Sequence, residues 1–233
     1  MKRFWDNASA VPTAEGYTIH LDGRPVRLPG GGTLAVPARP LAEALAAEWQ
    51  AAGGGKDGSM AWDDVPLTRL IGTAAERIAP APEATMLAIA KYGETDLLCY
   101  RADDPPLAAR QHAQWQPWLD WSAEALGARL IVTEGLMPVT QEPAALGALA
   151  RAVARLDPLR LSALGVLVPS LGSLVLGLAV QHRALEVAEA HRLSILDELF
   201  QEEHWGLDWM AEERRAKVAA DVGLAALLLE LAP

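Results

Sequence analysis

Residues Leu161–Val180 read LSALGVLVPSLGSLVLGLAV, 20 residues without a charge. No other stretch constrains the fold as tightly, because these side chains must leave water for a protein core or a bilayer. Pro169 sits mid-run, and Ser170 and Ser173 can each cap a new helix. Two short buried helices meeting at Val168–Ser173 explain the run more simply than one membrane span. The remaining sequence offers no topology pattern of flanking charge. The expectation is a core helical pair and no membrane insertion.

The chain of 233 residues is 51% hydrophobic, enough to bury a substantial core in one large domain or two small ones. Its formal charge of −10, with no long Lys/Arg run, argues against nucleic acid as a partner. Cys99 is the only cysteine, so intrachain disulfides and thiolate zinc sites are excluded and a reducing compartment is expected. The N-terminal MKRFWDNASAVPTAEGY has no apolar run of signal-peptide length and no extended Arg/Ser-rich helix. The expected location is the bacterial cytoplasm, or the mitochondrial matrix as its eukaryotic equivalent.

The first part of the chain reads as β-rich. Tyr17–Leu21 alternates, Asp22-Gly23 supplies a hairpin turn, and Pro25–Leu28 can return antiparallel. A short strand is expected at Thr33–Val36. Pro37 and Pro40 introduce a helix over Leu41–Gln50, with Leu41, Leu45 and Trp49 at four-residue spacing. A second helix follows over about Pro66–Ile78. Ala79-Pro80-Ala81-Pro82 is the best boundary, because alternating proline stiffens and interrupts the chain. Beyond it the pattern is helical almost throughout. Helices are expected near 83–92, over 107–126, and at 143–156, 158–168, 171–190, 193–205 and 208–230, with a short strand at Leu130–Val132.

Most chemical motifs fail on inspection. Gly53-Gly54-Gly55-Lys56 lacks the Ser or Thr that a phosphate-binding loop places after its lysine; Asp57 follows instead. His20, His112, His182, His191 and His204 form no metal-binding spacing. VPSLGS is not a nucleophile elbow, and Cys99 between Leu98 and Tyr100 reads as a small buried residue. No catalytic set, metal or cofactor is expected. Eight tryptophans stand against two phenylalanines, and most should be core, since burying an indole is worth up to about 5 kcal/mol.

The stretch Leu196–Arg215, LDELFQEEHWGLDWMAEERR, joins carboxylates and tryptophans. On a helix Leu193, Leu196 and Phe200 share one face, with Asp197 and Gln201 on its flank. Trp205 precedes Gly206, a residue type that often ends a helix. Such a segment can pack on one side and present acid, amide and indole groups on the other. Asp197 reads either as a structural ion-pair or hydrogen-bond partner or as a partner-facing acid.

Taken in order, the RFW near the N-terminus, LDGRPVRLP, LAVPARPLAEALAAEWQA, VPLTRLIGTA, YGETDLLCYRADDP, QWQPWLDW and FQEEHWGLDWMAEERR resemble one family. These blocks are similar to those of the assembly chaperones for the alpha subunit of the F-type ATP synthase catalytic head. The resemblance runs from about Arg3 to the last helix. It implies a non-enzymatic protein without a cofactor or an ATP requirement. Such a protein binds the newly made alpha subunit and shields its nucleotide-domain interface until the beta subunit replaces it. It also implies an α+β fold: a small β-rich N-terminal domain with one or two helices, residues 1–79, then a larger, mainly α-helical C-terminal domain, residues 83–233. An acidic residue in the helix before the Trp-Gly pair is functionally important in the family, and by position it matches Asp197, with Glu198 close behind; the family pattern has Glu there. The expected partner-binding residues are Asp197, Glu198, Gln201, Glu202 and Trp205, on a protein that is monomeric when free. The rivals are a small hydrolase using a carboxylate site near Trp205, and a general holdase without a preferred client.

Overall fold

The computed structural model describes residues 2–135, 137–206 and 209–232. The fold is α+β, 63% helical and 11% strand. The chain divides into two compact units. One is Met1–Pro82 with Pro158–Ser162 and Leu227–Pro233; the other is Glu83–Asp157 with Ala163–Ala226.

The first unit is built on a small antiparallel sheet of β1 (Ala8–Thr13), β2 (Gly16–Leu21), β3 (Arg24–Pro25) and β4 (Ala35–Val36). β2 pairs with all three others, and its Ile19 and Leu21 point into the core. The turn into β3 holds Asp22 at φ 47° and Gly23 at φ 81°, the geometry that an Asp-Gly pair favours. β1 has no counterpart in the sequence reading. ASAVPT carries a proline and little β-branched bulk, and it forms a strand because it lies at the sheet edge, where Pro12 need donate no ladder bond.

Helix α1 (Arg39–Ala51) buries Leu41, Leu45 and Trp49, the stripe expected from their spacing. Its Glu48 carboxylate accepts from Leu67 N at 2.5 Å, Thr68 N at 2.9 Å and Thr68 Oγ1 at 2.7 Å, so one side chain satisfies the open amides at the start of α2 (Pro66–Thr73). Arg3 answers at the other polarity. Buried near the C-terminal end of α1, it donates from Nη1 to the carbonyls of Gln50 and Ala52 at 2.9 and 3.0 Å. Lys56 of the glycine-rich loop is exposed and pairs with Asp6 at 2.6 Å.

The remaining elements are α3 (Pro82–Ala90), β5 (Tyr100–Arg101), α4 (Pro105–Trp121), β6 (Thr133–Glu134), α5 (Pro143–Ala154), α6 (Pro158–Leu171), α7 (Leu174–Gln181), α8 (Val187–Ser194), α9 (Leu196–Trp205) and α10 (Trp209–Leu231). The charge-free run forms α6 and α7, and Leu161, Leu164, Leu167, Leu174, Leu176 and Leu178 have no solvent exposure. Among the described residues no helix is long and apolar enough to cross a membrane. α6 continues past Pro169 on its exposed side and stops at Gly172, whose φ is 64°. Ser173 then caps α7 by accepting from Leu176 N at 3.0 Å. The fully buried Asp96 completes that cap, taking Val175 N at 2.9 Å and Leu98 N at 3.1 Å.

Three expectations need correction, and one lies outside the described residues. Leu130–Val132 is not a strand: the Gln141 side chain accepts from Ile131 N at 2.7 Å and donates to Ile131 O at 2.9 Å, taking the place of a neighbouring strand. The pairing strand is β6, parallel to β5. The helix expected over 171–190 is two, α7 and α8, separated at 182–186 where Arg183 adopts φ 58°. Asp208, the expected start of the last helix, lies outside the described residues, and α10 is described from Trp209. Finally, only Trp5, Trp49 and Trp115 of the eight tryptophans are core, while Trp62, Trp205 and Trp209 are exposed. Each core indole finds a hydrogen-bond acceptor (Trp49 O, Thr68 Oγ1 and Leu193 O respectively), which lets the ring be buried whole.

Candidate functional site

Helix α9 is positioned by its apolar face. Leu196 and Phe200 are buried together with Leu193, but the single helix expected over 193–205 is interrupted at Ile195, so Leu193 lies in the last turn of α8. The polar residues around that stripe meet three different environments.

Asp197 turns toward α4. Its Oδ1 accepts from Gln111 Nε2 at 2.8 Å, and Gln111 Oε1 in turn accepts from Ala102 N at 2.7 Å. Gln111 is only 2% exposed, so its amide orientation is fixed by these two bonds. Partial burial raises the Asp197 carboxyl above the ordinary aspartate value, and the Gln111 hydrogen bond offsets part of that rise.

Glu198 and Glu202 turn toward α10. Arg215, almost fully buried, donates from Nη2 to Glu202 Oε1 at 2.5 Å, while its Nη1 stands 3.5 Å from Glu198 Oε2. Arg214, farther into solvent, reaches the same Glu198 oxygen at 3.2 Å. The guanidinium of Arg215 is held above its usual value, chiefly by the Glu202 hydrogen bond. His191 of α8 is held below its usual value, first by burial and then by the nearby Arg215 charge. This four-charge clasp fixes the first turns of α10 against α9.

On the remaining side Glu203 forms a two-pronged pair with Arg110 of α4, at 2.6 and 2.8 Å. The Arg110 guanidinium also lies 5.0 Å from the centre of the Phe200 ring.

The sequence-predicted residues are therefore only partly assembled. Glu198, Gln201, Glu202 and Trp205 line one shallow cleft with Gly206, Ala211, Arg214 and Arg215. Asp197 does not line it and faces Gln111. Of the cleft residues, Glu198 and Glu202 are engaged by arginine, whereas Gln201 is exposed and Trp205 is 80% exposed. Two exposed neighbours were not singled out as site residues from the sequence, Trp209 at 69% and Met210 at 63%. The signal was the repeat of tryptophan on both sides of Gly206, a spacing that reads equally well as core.

The Asp63-Asp64 pair is structural. Asp64 accepts from Ala61 N at 2.8 Å in a short turn, and Asp63 pairs with Arg69. Cys99 is buried, and burial pushes its thiol up to about 12, far from a nucleophile's range. Among the described residues no group of three His, Cys, Asp or Glu side chains is placed to hold a metal ion.

The profile of the ATP12 chaperone protein family matches residues 2–123, more than half of the chain. The chain belongs to the ATP12 chaperone family. Members of this family are chaperones of ATP synthase assembly, as the ordered sequence blocks imply. The crystal structure of Atp12 from Paracoccus denitrificans is similar over 100% of this chain and 98% of that one, with 40% identity and a TM-score of 0.92. A variant of the Paracoccus protein with one aspartate replaced by lysine matches equally well, at 40% identity and TM-score 0.92, over 99% and 97% of the two chains. A protein of Agrobacterium tumefaciens is 38% identical with a TM-score of 0.91, covering 99% of this chain and 85% of its own. The ATP12 fold thus extends through the helical half that the family profile leaves unmatched.

Proposed function

We propose that this ATP12-family chain binds the unassembled alpha subunit of the F-type ATP synthase catalytic head, keeps it soluble, and yields it to the beta subunit, without catalysing a reaction. The observation that carries this reading is the outer edge of α9. Trp205, 80% exposed, stands beside exposed Gln201 on a helix anchored from beneath by Leu196 and Phe200. An orphan alpha subunit exposes apolar surface that assembly normally buries, and such surface aggregates. A temporary cover works best with a modest contact area and a few well-placed anchors, so that the final partner can displace it. Asp197, Glu198, Gln201, Glu202 and Trp205 form the contact helix. Asp197 acts at its flank, and Glu198 and Glu202 act by holding the neighbouring helix. The protein works as a monomer in the bacterial cytoplasm, and its charge of −10 keeps it from nucleic acid.

Expressing the cognate alpha subunit with and without this chain tests the reading. Soluble yield should rise with the chain present, and the two should co-purify. Equal solubility without association sinks the proposal.

A further inference from the structure

Tryptophan is the costliest side chain to leave in water, yet two of the most exposed apolar residues here are indoles four positions apart in the chain. Trp205 closes α9 and Trp209 opens α10. Four virtual bonds of about 3.8 Å separate their Cα atoms, so the two rings lie within roughly 15 Å of chain. Met210 follows directly and is 63% exposed. At roughly 200 Å² per indole, the two tryptophans alone present about 300 Å² to solvent, the size of the largest apolar patch on an ordinary monomer. The tip has a firm base, since the arginine clasp on Glu198 and Glu202 ties α10 to α9.

The charges around this patch are unevenly used. Glu198, Glu202 and Glu203 are each neutralised by an arginine of this chain. Glu212 and Glu213, one turn beyond the indoles on α10, are exposed and form no ion pair among the described residues. Indole faces beside uncommitted carboxylates suit a cation carried on an apolar stem.

Resting on the proposed chaperone reading, we infer that the end of α9 and the start of α10 carry the docking tip: Trp205, Trp209 and Met210 anchor an apolar segment of the client, and Glu212 and Glu213 receive an arginine or lysine within that segment. Two large anchors in one patch match the pattern in which a few central side chains carry most of an interface.

The test uses full-length protein and the co-expressed alpha subunit, with affinity measured on the reconstituted pair. Trp205→Ser with Trp209→Ser should leave the thermal midpoint unchanged, because both rings are solvent-exposed, and should weaken capture roughly 30-fold or more. Glu212→Lys with Glu213→Lys should weaken capture and flatten its salt dependence. If the wild type captures the alpha subunit and the serine variant captures it within twofold, the docking tip is overturned while the chaperone reading stands. A wild type that captures no alpha subunit sinks both. A wild-type dimer that the serine variant converts to monomer names a second copy of this chain as the occupant, and overturns the inference as well.

Discussion

Asp197 offers the sharpest separation of structure from recognition, because an isosteric change removes its charge and keeps its shape. Its carboxylate accepts one bond from Gln111, which is 2% exposed and holds Ala102 N with its other end. Asp197→Leu deletes the acceptor and leaves a buried amide N–H without a partner, at a cost of about 1–3 kcal/mol. For a chain of this length that lowers the melting midpoint by roughly 2–4 °C per kcal/mol. Asp197→Asn retains an acceptor oxygen. It gives up the charge assistance of the bond, but it also relieves the penalty that burial places on the ionised carboxyl, whose pKa is raised for that reason. The two effects oppose, so its midpoint should stay within about 1 kcal/mol of wild type. Thermal melting ranks the three proteins on stability, and co-purification with the alpha subunit ranks them on capture. If the charge faces the client, the Asn variant melts like wild type but captures at least tenfold less. A lysine, the change already made at an aspartate of the Paracoccus relative, both deletes the acceptor and half-buries a cation; at this position it confounds the two readouts. An Asn variant that melts more than about 6 °C lower would refute the account of the Gln111 contact. Unchanged melting with unchanged capture would remove Asp197 from the contact surface.

The clasp and the α7 cap give two further predictions. Arg215→Met should cost about 3–5 kcal/mol, because it strands the part-buried Glu202 carboxylate, whereas Arg214→Met at the exposed pair should cost less than about 1 kcal/mol; denaturant midpoints distinguish them. Burial raises Asp96 to about 6 in the fold from 3.8 in the unfolded chain, so the folded state holds the proton more tightly and stability falls as pH rises through roughly 4 to 6. Melting wild type and Asp96→Asn across that window should show the slope in the first and its loss in the second, on a lower overall stability because the amide cannot accept both Leu98 N and Val175 N.

Where a fold element was decided by its own residues, the sequence displayed it. The Leu41, Leu45 and Trp49 stripe made α1 visible, and Asp22-Gly23 made the hairpin visible, because spacing and turn chemistry act locally. The elements that escaped were decided by distant neighbours. β1 is a strand because β2 lies beside it, despite Pro12. Ile131 needs no partner strand because Gln141, ten residues away, offers an amide instead. The break after α7 contains neither glycine nor proline; Arg183 simply takes the left-handed conformation in a segment, HRALE, that propensity alone would continue as helix.

The same distinction explains the site. Helical spacing puts Glu198, Gln201, Glu202 and Trp205 along one side of α9, and in the fold they line one cleft with residues of α10. It cannot reveal that Glu202 is claimed by an arginine 13 residues on, or Asp197 by a glutamine 86 residues back. With Glu198 and Glu203 also held by arginines, all four acids of α9 become structural groups or flank groups before any client arrives. What α9 leaves exposed is an amide and an indole, and what α10 adds is a second exposed indole, an exposed methionine and two carboxylates with no ion pair among the described residues. An acidic stretch thus becomes, after folding, an apolar surface with acids at its margin. Composition counts side chains, whereas recognition depends on those the fold has not already used.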